Sequence, residues 1–259
     1  MSYAVENTKK PKRKSRATPV SVFGEILITI GVVLFLFAFY EAYWTNIEAG
    51  KAQDQVNSAL DNTWSNPRTV HDPELGEAFA RIYIPSFGSD FHFAIVEGTS
   101  DADLLKGPGH YSNTQMPGQV GNFAVAGHRV GKGAPFNDLG DLKTCDSVII
   151  ETQTAWYTYK VLPIDGAAPS CFTAEQQSRI SGGDYANVSG RSIVYPDDVG
   201  VISPLPDTDT PESDELEPLI TLTTCHPQFS NAQRMIIHGM LVDTMQKNGN
   251  NKPAELEAS

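Results

Sequence analysis

From Ile26 to Tyr40 the chain carries no charged side chain, and the longer run Val22–Tyr40 (VFGEILITIGVVLFLFAFY) contains only Glu25. A stretch apolar on every face cannot lie half in water as a surface helix does. With its flanks it has roughly the 20 residues that a helix needs to cross a bilayer core of about 30 Å. Just before it stand Lys9, Lys10, Lys12, Arg13, Lys14 and Arg16 against Glu6 alone, a net charge of +5 over residues 1–20. The positive-inside rule puts that basic end in the cytoplasm and the chain beyond Tyr43 outside. Glu25 sits at headgroup depth on the basic side, and Tyr40, Tyr43 and Trp44 supply an aromatic belt on the other. A buried core helix is rarely apolar all round for this length, and a cleaved signal peptide has a shorter apolar core and a small-residue cleavage site. No clear A-x-A cleavage site stands just after Tyr43. The expectation is a basic cytoplasmic tail at 1–20 and an uncleaved transmembrane signal anchor at 21–43.

The overall charge is −12, so residues 21–259 carry −17. An acidic body repels phosphate, which excludes nucleic-acid binding by this part of the chain. Outside the cell the three cysteines, Cys145, Cys171 and Cys225, must leave at least one thiol free or joined to another chain. The simplest partition bridges Cys145 and Cys171 and leaves Cys225 reactive; three unpaired thiols are the alternative.

Residues 44–75 are polar with scattered apolar positions, which predicts a stalk, helical to about Leu60 and broken at Asn66-Pro67. The folded region is expected at 76–245, with a disordered polar tail at 246–259. Alternation and β-branched content predict strands at Phe79–Ile84, Phe91–Val96, Asn122–Gly127, Val148–Thr152, Trp156–Val161, Ile193–Tyr195, Leu219–Thr224 and Met235–Val242. Short helices are expected at Asp101–Leu105, opened by its Asp, and at Ala134–Leu142. Seven or eight short strands with small helices between them predict a mainly β fold, a closed barrel. Pro204–Pro218 reads as an exposed acidic loop whose spacing fits no metal-binding pattern. No metal and no cofactor is expected.

Three residues can carry chemistry. Cys225 ends the strand-like run ITLTT and precedes His226-Pro227, which places a thiol at a strand end; an inert buried cysteine is the plain alternative. His128 ends the strand NFAVAG beside the glycine-rich turn Val130–Gly133, a position for an acid/base group with a pKa near neutrality. Arg234 opens the last strand nine residues after Cys225, so two antiparallel strands joined by that connection bring the guanidinium near the thiol. There it can stabilise an oxyanion or orient a substrate.

TLTTC at Thr221–Cys225, followed by QRMIIHG at Gln233–Gly239, resembles the active-site signature of the sortases. AVAGHR at Ala124–Arg129 is similar to their histidine motif. The resemblance extends through IYIPSFG (Ile82–Gly88), VEGTS (Val96–Ser100), LLKGPGHY (Leu104–Tyr111) and PGQVGN (Pro117–Asn122), and so covers residues 76–243. GPGHY and TTCHPQFSNAQR look most like the class E sortases of actinobacteria. Where the family usually has Gly-Asp, this chain has Cys145-Asp146, which argues against a catalytic Cys145 and leaves room for a Cys145–Cys171 bridge.

The resemblance implies a membrane-anchored cysteine transpeptidase. Cys225 would attack the Thr–Gly carbonyl of an LAXTG- or LPXTG-type sorting signal, and the thioester would pass to an amine of a lipid-linked peptidoglycan precursor. His128 would be the acid/base, Arg234 would serve the oxyanion or hold substrate, and Tyr111 and Thr224 would bind substrate. The partners implied are surface proteins with a C-terminal sorting signal. Two rivals stand beside this reading: an endopeptidase that resolves the same acyl-enzyme with water, and a non-catalytic wall-binding β-domain.

Overall fold

The computed structural model of the protein describes residues 18–66, 72–166, 170–249 and 251–257. The basic segment to residue 17, and residues 67–71 just past the expected helix break, lie outside it. One helix, α1, spans Pro19–Trp64. Its part Pro19–Tyr40, 22 residues, is long and apolar enough to cross a membrane and buries none of that surface in the protein. A second folded unit begins at Trp44. Within it Ala49 and Leu60 are completely buried and Gln53 nearly so. Asn57 and Asp61 accept hydrogen bonds from Arg81 at 3.3 and 2.8 Å, and that guanidinium lies 5.3 Å over the Trp64 ring. The expected stalk is instead a docked helix. Its apolar positions are too few to show in the sequence, and polar contacts with Arg81 make up the difference.

Nine strands follow among the described residues: β1 (Ala78–Tyr83), β2 (His92–Glu97), β3 (Gly109–His110), β4 (Gly121–Ala126), β5 (Ser147–Glu151), β6 (Ala155–Val161), β7 (Arg191–Val194), β8 (Pro218–His226) and β9 (Gln233–Gln246). Eight of them close a ring in the order β6-β5-β1-β2-β3-β4-β8-β9, the last pairing back to β6. β9 makes closure feasible by its length. One of its edges pairs with β8; the other is shared, with β7 against Arg234–Ile237 and β6 against Gly239–Gln246. β7 therefore hangs outside the ring. The pairs β2–β3 and β4–β8 are parallel. Central β4 is buried along its whole length and β8 over six consecutive residues, as strands covered on both faces are. The interior is filled by Ile82, Phe123, Val125, Ile150, Tyr159, Leu222 and Ile237.

A second apolar cluster lies under helix α3 (Ala174–Gly182), where Phe172, Ile180 and Tyr185 pack on Leu219 and Met240. α3 is not visible in the hydrophobic pattern, yet Thr173 and Gln176 form a capping box at its start. The other capped helix, α2 (Asp101–Leu104), is opened by Ser100 rather than by its Asp. The helix expected at Ala134–Leu142 shrinks to a 3-10 turn at Leu139–Asp141. Its first residue, Ala134, has φ 41°, which a right-handed helix cannot hold. The tail expected to be disordered forms a short helix, α4 (Ala254–Glu257), and Glu255 pairs with Lys160 at 3.1 Å. The acidic loop is anchored at both ends by buried Leu205 and Leu216, and Arg179 binds Glu217 at 2.9 Å.

Cys145 and Cys171 form a disulfide with Cα atoms 6.0 Å apart, 26 residues apart in sequence. Cys145 has φ 72°, a conformation glycine adopts without cost, which accounts for the glycine usual at this place in the resembling family. Loop-closure entropy for a span of this size is roughly 3 kcal/mol. The double variant Cys145→Ser/Cys171→Ser is therefore expected to lose about 3 kcal/mol in urea unfolding of the detergent-solubilised chain. An unchanged midpoint would mean that the bridge does not constrain the unfolded chain.

A buried polar chain links β4, β8 and β9. Asn122 donates to the carbonyls of Val201 and Ser203, so its Oδ1 must accept from Thr221 at 2.8 Å. The single Thr221 proton is thereby used, and His238 Nδ1–H donates to Thr221 Oγ1 at 2.8 Å. Complete burial pushes His238 down to about 4. The unfolded chain takes up this proton below pH 6.5 while the folded one does not until about 4, so stability present above 6.5 drains away as pH falls through that window. The difference corresponds to about 3 kcal/mol. Between pH 7 and 4 the native chain should lose about that much more stability than His238→Gln; equal losses would contradict the assignment.

Candidate active site

β4 and β8 run parallel with Ala126 opposite Thr223. Two residues further on, the chain reaches His128 just past the end of β4 and Cys225 within β8. Gly127 N–H donates to Thr223 O at 3.0 Å, and the Thr224 hydroxyl donates to Gly127 O at 2.8 Å, which holds the two ends side by side. On the other side of β8, Cys225 is the direct antiparallel partner of Arg234 on β9. Residues level with one another on neighbouring strands share a face, and neighbouring strands lie about 4.8 Å apart. His128, Cys225 and Arg234 thus form a row across three adjacent strand ends. All three are half-buried, and Cys225 is the free cysteine.

Two grooves open beside this row. One, of 320 Å³, is lined by Asp101, Tyr111, Thr223, Thr224 and Asn231 together with the three residues of the row. The other, of 390 Å³, is lined by His128, Arg129, Val130, Cys225, Phe229 and Ser230. Both sequence-predicted binding residues, Tyr111 and Thr224, fall on the first groove. The Tyr111 hydroxyl lies 3.0 Å from Thr223 Oγ1. Thr224 is nearly fully buried with its hydroxyl committed to Gly127, so its side chain braces the strand ends.

His128 Nε2 is buried with no hydrogen-bond partner among the described residues. Burial, and then the Lys132 charge, push its pKa below the usual histidine value, against a smaller opposing pull from Asp101. The resting ring is neutral at pH 7. Arg234 donates to the carbonyls of Asn231 and Gln233 at 3.0 Å, both through Nη1. Among the described hydrogen bonds its other guanidinium donors are uncommitted.

Sequence reasoning missed two supports. Arg129 donates to His226 Nδ1 at 2.7 Å and to Cys225 O at 3.4 Å, fixing the carbonyl of the nucleophile candidate from the strand that carries His128. Its place next to His128 in the GHR run was the available signal. Glu97 and His110 form a buried pair at 2.6 Å under the turn that presents Tyr111. Both lie in runs that carry the family resemblance, VEGTS and GPGHY, but nothing in either run shows that the two side chains pair. Among the described residues no cluster of three or more His, Cys, Asp or Glu side chains is arranged to hold a metal ion.

The sequence model of the sortase domain matches residues 82–242, well over half of the chain. The chain belongs to the sortase family. It is similar to sortase SrtE1 of Streptomyces coelicolor, 33% identical over 243 residues; these are 89% of this chain but 60% of SrtE1, so the chain spans about three fifths of that relative. Among solved structures, the SrtF sortase of Corynebacterium diphtheriae shares 61% identity with a TM-score of 0.71, covering 74% of this chain and 98% of that one. Sortase E1 of Streptomyces coelicolor, solved with a tripeptide in its active site, shares 28% identity with a TM-score of 0.54, over 71% of this chain and 99% of that one. The closed eight-stranded barrel is the sortase fold, and the likeness is to class E sortases.

Proposed function

We propose that this sortase cleaves the Thr–Gly bond of an LAXTG- or LPXTG-type sorting signal and joins the released carboxyl end to an amine of a peptidoglycan precursor. The observation that carries this reading is the row His128–Cys225–Arg234 set between two grooves. A transpeptidase must bring an acyl donor and an amine acceptor to one thiol, and two grooves that share Cys225 and His128 supply two approaches. The tripeptide in the Streptomyces coelicolor relative supports a peptide as the donor.

In the first step the Cys225 sulfur adds to the threonine carbonyl and its proton passes to neutral His128. The oxyanion forms within reach of the uncommitted Arg234 donors. Collapse breaks the C–N bond, and the imidazolium returns its proton to the departing glycine amine, leaving a thioester. In the second step the acceptor amine adds, His128 takes its proton, and the thiol leaves. The burial that favours neutral His128 suits it to begin each step as base.

The apolar helix Pro19–Tyr40 would hold the enzyme in the membrane, basic end in the cytoplasm and barrel outside. A substrate retained on the same membrane would meet it at high effective concentration. Intact-mass measurement of the full chain incubated with LAXTG and LPXTG peptides tests the reading. An acyl adduct on Cys225 that disappears on addition of an amine, with an amide product, is the expected result. Hydrolysed peptide alone at saturating amine would make the protein an endopeptidase, and no adduct would remove the catalytic reading.

A further inference from the structure

The docked part of α1 reaches the loop that follows His128. Gly131, Lys132, Gly133 and Ala134 have φ of 63, 51, 80 and 41°, four left-handed residues in succession. Two of them carry a Cβ, and such conformations persist only where the surroundings over-determine them. Inside the loop, Ala134 N–H donates to Gly131 O at 2.8 Å and Phe136 N–H to His128 O at 3.0 Å. The rest of the hold comes from α1. Asn46 Oδ1 accepts from Gly133 N–H at 3.1 Å, and Gln53 Nε2 donates to Lys132 O at 3.5 Å. Gln53 presses on Gly133 so closely that a Cβ there would collide with its amide. Asn46 and Gln53 are two helical turns apart on one face, with Ala49 completely buried between them.

The loop is hydrogen-bonded to the backbone of His128 at its far end, and it carries Lys132, whose charge is felt at the His128 ring. The other charged or titratable groups on the grooves around that ring are Asp101, Tyr111, Arg129, Cys225 and Arg234. None of these belongs to the loop's own held section, so moving the loop changes the ring's position and one charge facing it.

We propose that Asn46 and Gln53 are positioning residues for His128, acting by clamping the Gly131–Ala134 loop, so that the helix beyond the membrane span is a working part of the catalytic unit. This rests on the assignment of His128 as the acid/base. Loosening the loop should let the ring shift by up to about 1 Å, and a misplacement of that order costs up to about 10²-fold in rate.

The test uses the full chain in detergent. In Asn46→Ala/Gln53→Ala, kcat for acyl transfer should fall about tenfold with KM for the sorting peptide within about twofold. The acid limb of its pH–rate profile should move up toward the ordinary histidine value, because Lys132 is no longer held in place. Gly133→Ala, which attacks the same contact from the loop side, should behave alike. Asp61→Asn, which loosens the far end of the helix at Arg81, should keep kcat within about twofold. The clamp is refuted if the double variant keeps the native kcat and profile, or if Asp61→Asn loses as much. Hydrogen exchange at the Gly133 amide separates the two readings. It should quicken at least about tenfold in Asn46→Ala, and unchanged exchange overturns the clamp even if the wild type forms no adduct and the catalytic assignment falls.

Discussion

Cys225→Ala is expected to lower peptide–amine ligation by about 10⁴-fold or more, with no acyl adduct by intact mass. The size follows from the chemistry: without the sulfur there is no covalent intermediate, and what is left is binding and the electrostatics of the grooves. The fold should not suffer. Cys225 is half-exposed at a strand end and outside the disulfide, so the unfolding free energy should change by less than about 1 kcal/mol. Cys225→Ser is the sharper control, because it keeps the shape and replaces the thiol with a hydroxyl that His128 deprotonates far less readily. Ligation by either variant within about tenfold of the native rate would place the nucleophile elsewhere. The disulfide makes this a clean experiment, since Cys145 and Cys171 hold each other and offer no second thiol.

The sequence carried this site because strand chemistry is periodic and local. TLTTC and AVAGH each read as a strand that stops at a chemically useful residue, and the two stops fall level because Ala126 pairs with Thr223. That register is a tertiary fact, but the family resemblance supplied it in advance. The barrel was legible for the same reason: alternation in β1 and near-continuous apolar runs in β4 and β8 leave few other folds. What stayed hidden was built from polar residues. The docked half of α1 presents Asn46, Gln53, Asn57 and Asp61, a set indistinguishable in sequence from a solvated stalk. α3 likewise hides behind AEQQSR, and only its capping box betrays it. The two-residue β3 is set by its neighbours: a Cβ on Gly109 would strike the Gly98 carbonyl. The helix expected at Ala134–Leu142 does not form because APFNDLGDL places Pro135, Asn137, Asp138, Gly140 and Asp141 in it and Ala134 takes up a left-handed backbone.

Arg234→Lys is expected to cost about 10²-fold in kcat, and Arg234→Ala up to about 10³-fold. Lysine keeps the charge but loses the planar fork. In the structure Nη1 is already spent on the carbonyls of Asn231 and Gln233, which fixes the plane of the guanidinium and leaves its remaining donors for a developing oxyanion beside Cys225. A flexible ammonium that satisfied those two carbonyls would have less left to offer, which is why the conservative change should still be severe. The kinetic split decides what the residue does. If Arg234 serves the oxyanion, kcat and kcat/KM fall together with KM little changed, because the interaction exists only once the carbonyl has been attacked. If it only holds the ground-state peptide, KM rises and kcat survives. Its position directly across the ladder from Cys225, rather than farther along the groove with Tyr111, favours the first outcome. A pure KM effect would move Arg234 from the reacting carbonyl to the binding of the signal and leave oxyanion stabilisation to the backbone around Cys225.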